Sequence, residues 1–110
     1  MKPGSKHVLV LVTAPKIGVA RKIAKAALAA RLAACANLIP GVESHYWWQG
    51  QLESGREILI IFKTAPRLAN QLERIIVEIH PYDTPEVVVV PIQSGSKKYL
   101  DWIDSSLNSK

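Results

Sequence analysis

HPYDTPEVVVVPI, residues 80–92, ends one element and begins another. His80 stands before Pro81, which pushes it out of helical geometry and closes any helix arriving from the N-terminal side. Two prolines, Pro81 and Pro85, bracket a turn that holds His80 and Glu86 six residues apart. Glu86–Ile92 then reads as a strand with no polar side, and such a strand needs cover on both faces. A chain of 110 residues has little material to supply that cover by itself.

Working outward, the same arm recurs upstream. Glu57–Lys63, EILIIFK, is a strand of the same two-sided apolar kind. Pro66 suits the first turn of the helix that follows. Leu68, Leu72, Ile75, Ile76 and Ile79 form the apolar stripe of that helix, Arg67–Ile79. The first arm is parallel in design. His7–Ala14 is a nearly continuous apolar strand, Pro15 and Gly18 punctuate the turn, and the spacing predicts a helix over Val19–Ala34. Its apolar face is small, with Ile23, Ala27, Ala30 and Ala34, so it can lie close to a sheet. Asn37–Gly41 breaks it and leads into a strand at Val42–Trp48. Gln49–Gly50 signals a hairpin, and Ser54–Gly55 a bulge. Ser94–Ser96 caps a last helix with Leu100, Ile103 and Leu107 inward.

The resulting order is βαββαβ plus a C-terminal helix, an α+β, ferredoxin-like sandwich in one domain, residues 1–110. Both main helices cover one face of its sheet. Ile58–Phe62 and Val87–Val90 do not alternate as a solvent-facing sheet should, so the second face is expected to be buried against another copy.

Composition narrows the function. Fourteen basic residues against nine acidic give +5, and Arg21, Lys22, Lys25 and Arg31 share a segment without an acid. That is read as a solvated helix face. The central strands offer only Phe62 as a stacking ring, which excludes an RNA-binding sheet of this strand order. The turn Ala14–Gly18 lacks the arginine cradle of an acylphosphatase. No run approaches a membrane span or a signal peptide, so residence in the cytoplasm is expected. Cys35 is the single cysteine, which excludes an internal disulfide or a CxxC site. Flanked by alanines, it is expected to be a buried structural thiol at a helix end.

His80 and Glu86 are the candidate metal pair, since imidazole suits copper and zinc and a carboxylate completes such a site. The competing reading has His80 and Asp83 holding the loop by hydrogen bonds while Glu86 starts the strand. Tyr46 and Trp48 fall on one face of the hairpin and Trp47 on the other, and all three are costly to leave wet. His7 and His45 flank strands and are expected at a surface or an interface.

The ordered set of TAP at Thr13–Pro15, RLAACANLIPG at Arg31–Gly41, SHYWWQG at Ser44–Gly50, Leu52–Glu53, Lys63–Thr64, HPYDTPE at His80–Glu86, and Tyr99–Leu100 with Trp102 resembles the CutA family of divalent-cation tolerance proteins. The resemblance implies a homotrimer built like the PII nitrogen-regulatory proteins, a link to tolerance of copper and other divalent cations, and no enzymatic reaction. It places Tyr46, Trp48 and Tyr82 at a subunit interface or in a cleft that could hold a small effector. Bacterial relatives often carry a cysteine and a second histidine where this chain has Val12 and Ile79. Of that ligand set only Glu86 remains, which implies weak or indirect metal binding.

Overall fold

The computed structural model describes residues 2–3 and 6–109. Its elements run β1 (Lys2–Pro3), β2 (Val8–Ala14), α1 (Ile17–Ala29), β3 (Cys35–Trp48), β4 (Gln51–Thr64), a 3₁₀ turn at Pro66–Leu68, α2 (Ala69–Ile79), β5 (Val88–Pro91), β6 (Ser94–Gly95) and α3 (Lys97–Ser106). Four antiparallel strands form the main sheet in the order β3-β4-β2-β5, and β1 pairs with β6 in a small ribbon. The split arrangement expected from the sequence is therefore present.

Burial alternates strictly along the two central strands. Val8, Val10, Val12 and Ala14 of β2 are buried, as are Ile58, Ile60, Phe62 and Thr64 of β4. They pack under Ala20, Ile23 and Ala27 of α1 and Leu72 and Ile76 of α2. Phe62 lies wholly in this core, so no ring is offered from the central strands. Directly paired residues share a face. The pairing therefore builds the opposite face in rows: Cys35–Lys63–Leu9–Val90, Asn37–Ile61–Leu11–Val88 and Ile39–Leu59–Thr13. The helices α1 and α2 pack on the other face, and α3 reaches the first row, where Lys63 Nζ donates to the Tyr99 hydroxyl at 3.0 Å. Ile39 and Val88 are 44% and 47% exposed, and Leu9, Leu11, Leu59 and Ile61 are half-buried.

Helix α3 packs at one end of the sheet through Leu100, Ile103 and Leu107, all buried, as the sequence indicated. The Ser96 side chain accepts a long bond, 3.5 Å, from the Tyr99 amide at its start. His7 departs from expectation. It is buried rather than at a surface, because its Nε2 meets Asp104 Oδ1 of α3 at 2.9 Å. Its Nδ1 has no hydrogen-bond partner among the described residues.

Helix α1 ends at Ala29, five residues before the boundary read from the sequence. Arg31 takes the left-handed conformation, φ 54°, with Arg31 N–H bonding Leu28 O and Leu32 N–H bonding Ala27 O. This is a Schellman cap built without glycine, at a strain of roughly 1 kcal/mol. Arg31 offsets it by binding α3's end, its Nη1 donating to Ser106 O and its carbonyl accepting from Asn108 N. Cys35 consequently opens β3 and is half-buried, not sealed at a helix end. Arg21, Lys22 and Lys25 are exposed on α1, the solvated face expected.

Candidate functional site

Strands β3 and β4 each run 14 residues, well past β2, and end in a two-residue turn. Gln49 and Gly50 both have positive φ, 50° and 78°, the pair of left-handed residues that a tight hairpin requires. The extra residue lies at Pro40–Gly41, between the pairs Ile39–Leu59 and Val42–Glu57, and Gly41 has φ 74°. Ser54–Gly55, where the sequence suggested a bulge, pairs regularly with His45 and Ser44. Beyond the bulge the register sets Tyr46 opposite Glu53 and Trp48 opposite Gln51 on the face that also carries Glu57. Trp47 sits with Leu52 on the other side.

The loop after α2 meets this hairpin. His80 ends the helix as Pro81 demands, and its ring is buried. Nε2 donates to the Thr13 carbonyl at 2.6 Å and Nδ1 accepts from the Tyr82 amide at 3.1 Å. The tautomer is thereby fixed, with the proton on Nε2. The Tyr82 ring leans on His80, centroids 4.6 Å apart, and its hydroxyl donates to Glu57 Oε2 at 3.0 Å. Burial, then that hydrogen bond and the Glu57 charge, push the Tyr82 hydroxyl up to about 12. It stays a donor at any physiological pH.

Between hairpin and loop lies a groove of about 1000 Å³, open to solvent. Glu53, Glu57, Asp83 and Glu86 line it with Tyr46, Trp48 and Tyr82, while Glu43 and Trp47 from the other face of the ribbon complete the lining; among the described residues no lysine or arginine does. Desolvation first, and the nearby Glu57 second, raise the Glu86 carboxyl above the usual glutamate range. Two like charges thus share a partly dry wall, an arrangement that any bound cation relieves.

That shift has a measurable sign. The folded state holds the Glu86 proton more tightly than the unfolded chain does, so stability is full at low pH. It falls as pH rises through the raised value. Glu86→Gln should therefore raise the melting temperature at pH 7 by no more than about 3 °C, given the exposure of the group. The gain should vanish near pH 4. Scanning calorimetry of both proteins across that range checks it, and a gain that persisted in acid would refute the assignment.

The structure brings Glu86, Tyr46, Trp48 and Tyr82 to one groove. It sets His80 behind the groove, against Tyr82 but not in the lining, with both ring nitrogens engaged by the backbone. Among the described residues no three His, Cys, Asp or Glu side chains converge as a metal site. His45 bonds Glu43, 2.7 Å, on the exposed hairpin. Val12 is wholly buried and Ile79 packs against the core, so neither lines the groove. Sequence reading missed Glu53 and Glu57. Both lie on β4 four residues apart, and only their register opposite Tyr46 and Val42 reveals them.

Comparison with known proteins gives one consistent result. Residues 8–106 match the family model described as CutA1 divalent ion tolerance protein. The divalent-cation tolerance protein CutA of Thermus thermophilus is 44% identical over 95 residues, covering 86% of this chain and 92% of the relative. That of Yersinia pestis is 41% identical over 103 residues, 94% of this chain and 87% of the relative. The crystal structure of CutA1 from Oryza sativa superposes with a TM-score of 0.92 at 36% identity, covering 97% of this chain and 98% of that one.

Proposed function

Since this chain belongs to the CutA1 family of divalent ion tolerance proteins, we propose that it serves the response to metal ions as a cytoplasmic homotrimer that binds divalent cations weakly and catalyses no reaction. One observation carries the cation reading: Glu86 and Glu57 face a groove lined, among the described residues, by five carboxylates and no lysine or arginine. Carboxylates suit divalent cations in general, and His45 at the rim adds an imidazole that favours zinc or copper(II). No thiol lines the groove, which disfavours copper(I). His80 would have to surrender the Tyr82 amide to ligate through Nδ1, so Glu86 is the leading ligand of the pair.

Calorimetric titration with zinc and with copper(II) tests this directly. Modest affinity is expected, weakened about tenfold by Glu86→Gln or Glu57→Gln, a loss of roughly 1.4 kcal/mol. Tight binding untouched by both changes, or no binding at all, would overturn it. A PII-like anionic effector is the poorer fit, because this wall would repel it. The trimer rests on the uncovered apolar rows of the sheet together with the family, and its test is given in the Discussion.

A further inference from the structure

Register and loop together place three aromatic rings and three carboxylates on the same concave wall: Tyr46, Trp48, Glu53 and Glu57 from one face of the hairpin, Tyr82 and Glu86 from the loop. Tyr46 and Trp48 are 44% and 42% exposed, and Tyr82 is 38% exposed. Apolar rings on a wet surface need a reason. Among the described residues no lysine or arginine lies over any of the three; the only such contact is Lys63 on Tyr99, in the row of the sheet next to α3. Within one subunit, the described lysines and arginines therefore leave the faces of these rings open to another cation. One of them is also preset, since Tyr82 is braced by His80 on its ring and by Glu57 at its hydroxyl. Preset groups lose less freedom on binding.

We propose that this wall is a binding site for an organic cation, a quaternary ammonium or protonated amine, held by the Tyr46, Trp48 and Tyr82 rings and neutralised by Glu53, Glu57 and Glu86. Rings attract a poorly hydrated cation through their negative faces, and best where water is partly excluded. Carboxylates behind the rings supply the opposite charge, and a bare metal ion makes no use of the rings. The site shares Glu57 and Glu86 with the metal reading but depends in addition on the three rings, so either can fail alone.

Choline and its uncharged isostere 3,3-dimethylbutan-1-ol form the test, titrated into the full chain in its native assembly with NMR and tryptophan fluorescence as readouts. Choline should bind saturably, and the isostere at least about tenfold more weakly. Trp48→Leu and Glu53→Gln should each weaken choline by roughly five- to thirtyfold. Trp48→Leu should weaken choline far more than zinc, whose ligands are carboxylates, and Trp102→Leu, an exposed ring outside the groove, should leave choline affinity unchanged. Equal binding of choline and the isostere, no saturation, or indifference to both groove variants would overturn the proposal. So would acrylamide failing to quench Trp48, identified by its loss in Trp48→Leu, since the ring would then be a subunit contact.

Discussion

Ile61→Glu is expected to break the assembly into monomers that are less stable than the native protein. Ile61 sits in the middle row of the uncovered face, between Asn37 and Leu11, with Val88 beyond. Leaving apolar side chains of that size in water costs on the order of 1.5–3 kcal/mol each, a large share of a domain's total of about 5–15 kcal/mol. Three copies burying this face against one another would remove the cost, and closed symmetry would stop the association there. A carboxylate at its centre would have to be desolvated in every subunit, for several kcal/mol each. The dissociation constant should rise at least about a hundredfold, or 2.8 kcal/mol. Sedimentation velocity at micromolar concentration reads the result. A trimer is expected for the native chain and for Ile61→Leu, and monomer for Ile61→Glu. A folded native monomer would refute the assembly outright. Cys35 reports on the same event, because it lies in the adjacent row beside Lys63. Its thiol should react slowly in the trimer and quickly in the Ile61→Glu variant.

His80→Ala is the second large effect, with a loss of about 2–4 kcal/mol for two broken hydrogen bonds and a small cavity. The Thr13 carbonyl and the Tyr82 amide would each lose their partner. The consequence extends to the groove, since Tyr82 loses the ring that braces it and its grip on Glu57 loosens. Chemical denaturation should show the stability loss, and zinc or choline titration a parallel weakening. His80→Gln, which can donate to Thr13 but cannot replace the ring, should recover part of the stability and little of the ligand affinity. A variant as stable as the native chain would show that these bonds are not what holds the loop.

The order of elements and the stripe of α2 were legible, because apolar runs bounded by turn signals and the spacing of Leu72 and Ile76 are local patterns. Which face of β2 enters the core was not, since Leu9 and Leu11 are as apolar as Val8, Val10 and Val12. The end of α1 was not legible, for Arg31 adopts a conformation that the sequence usually marks with glycine, and its compensating partner lies 75 residues away at Ser106. The bulge was misplaced for a related reason. Ser54–Gly55 and Pro40–Gly41 carry similar local signals, and only the pairing of β3 with β4 chooses between them. At the site, Tyr46 and Trp48 could be assigned to one face by alternation alone. Glu53 and Glu57 could not, because a glutamate on a hairpin means little until its cross-strand neighbour is known. His80 was legible as a special residue but not as to its use, since the Thr13 carbonyl is 67 residues distant.

The bulge at Pro40–Gly41 separates two instructions that a regular hairpin would merge. Which rings look into the groove is dictated by β4, because Tyr46 must share a side with Glu53 whatever the length of its own strand. Where the tip points is dictated by the bulge, which bends and twists the ribbon at its root. From there to Trp48 the hairpin is a lever about 20 Å long, so each 10° of lost bend carries the tip roughly 3.5 Å sideways. Deleting Gly41 would restore an ordinary ladder and turn no side chain over. The arm would keep its lettering and miss its address.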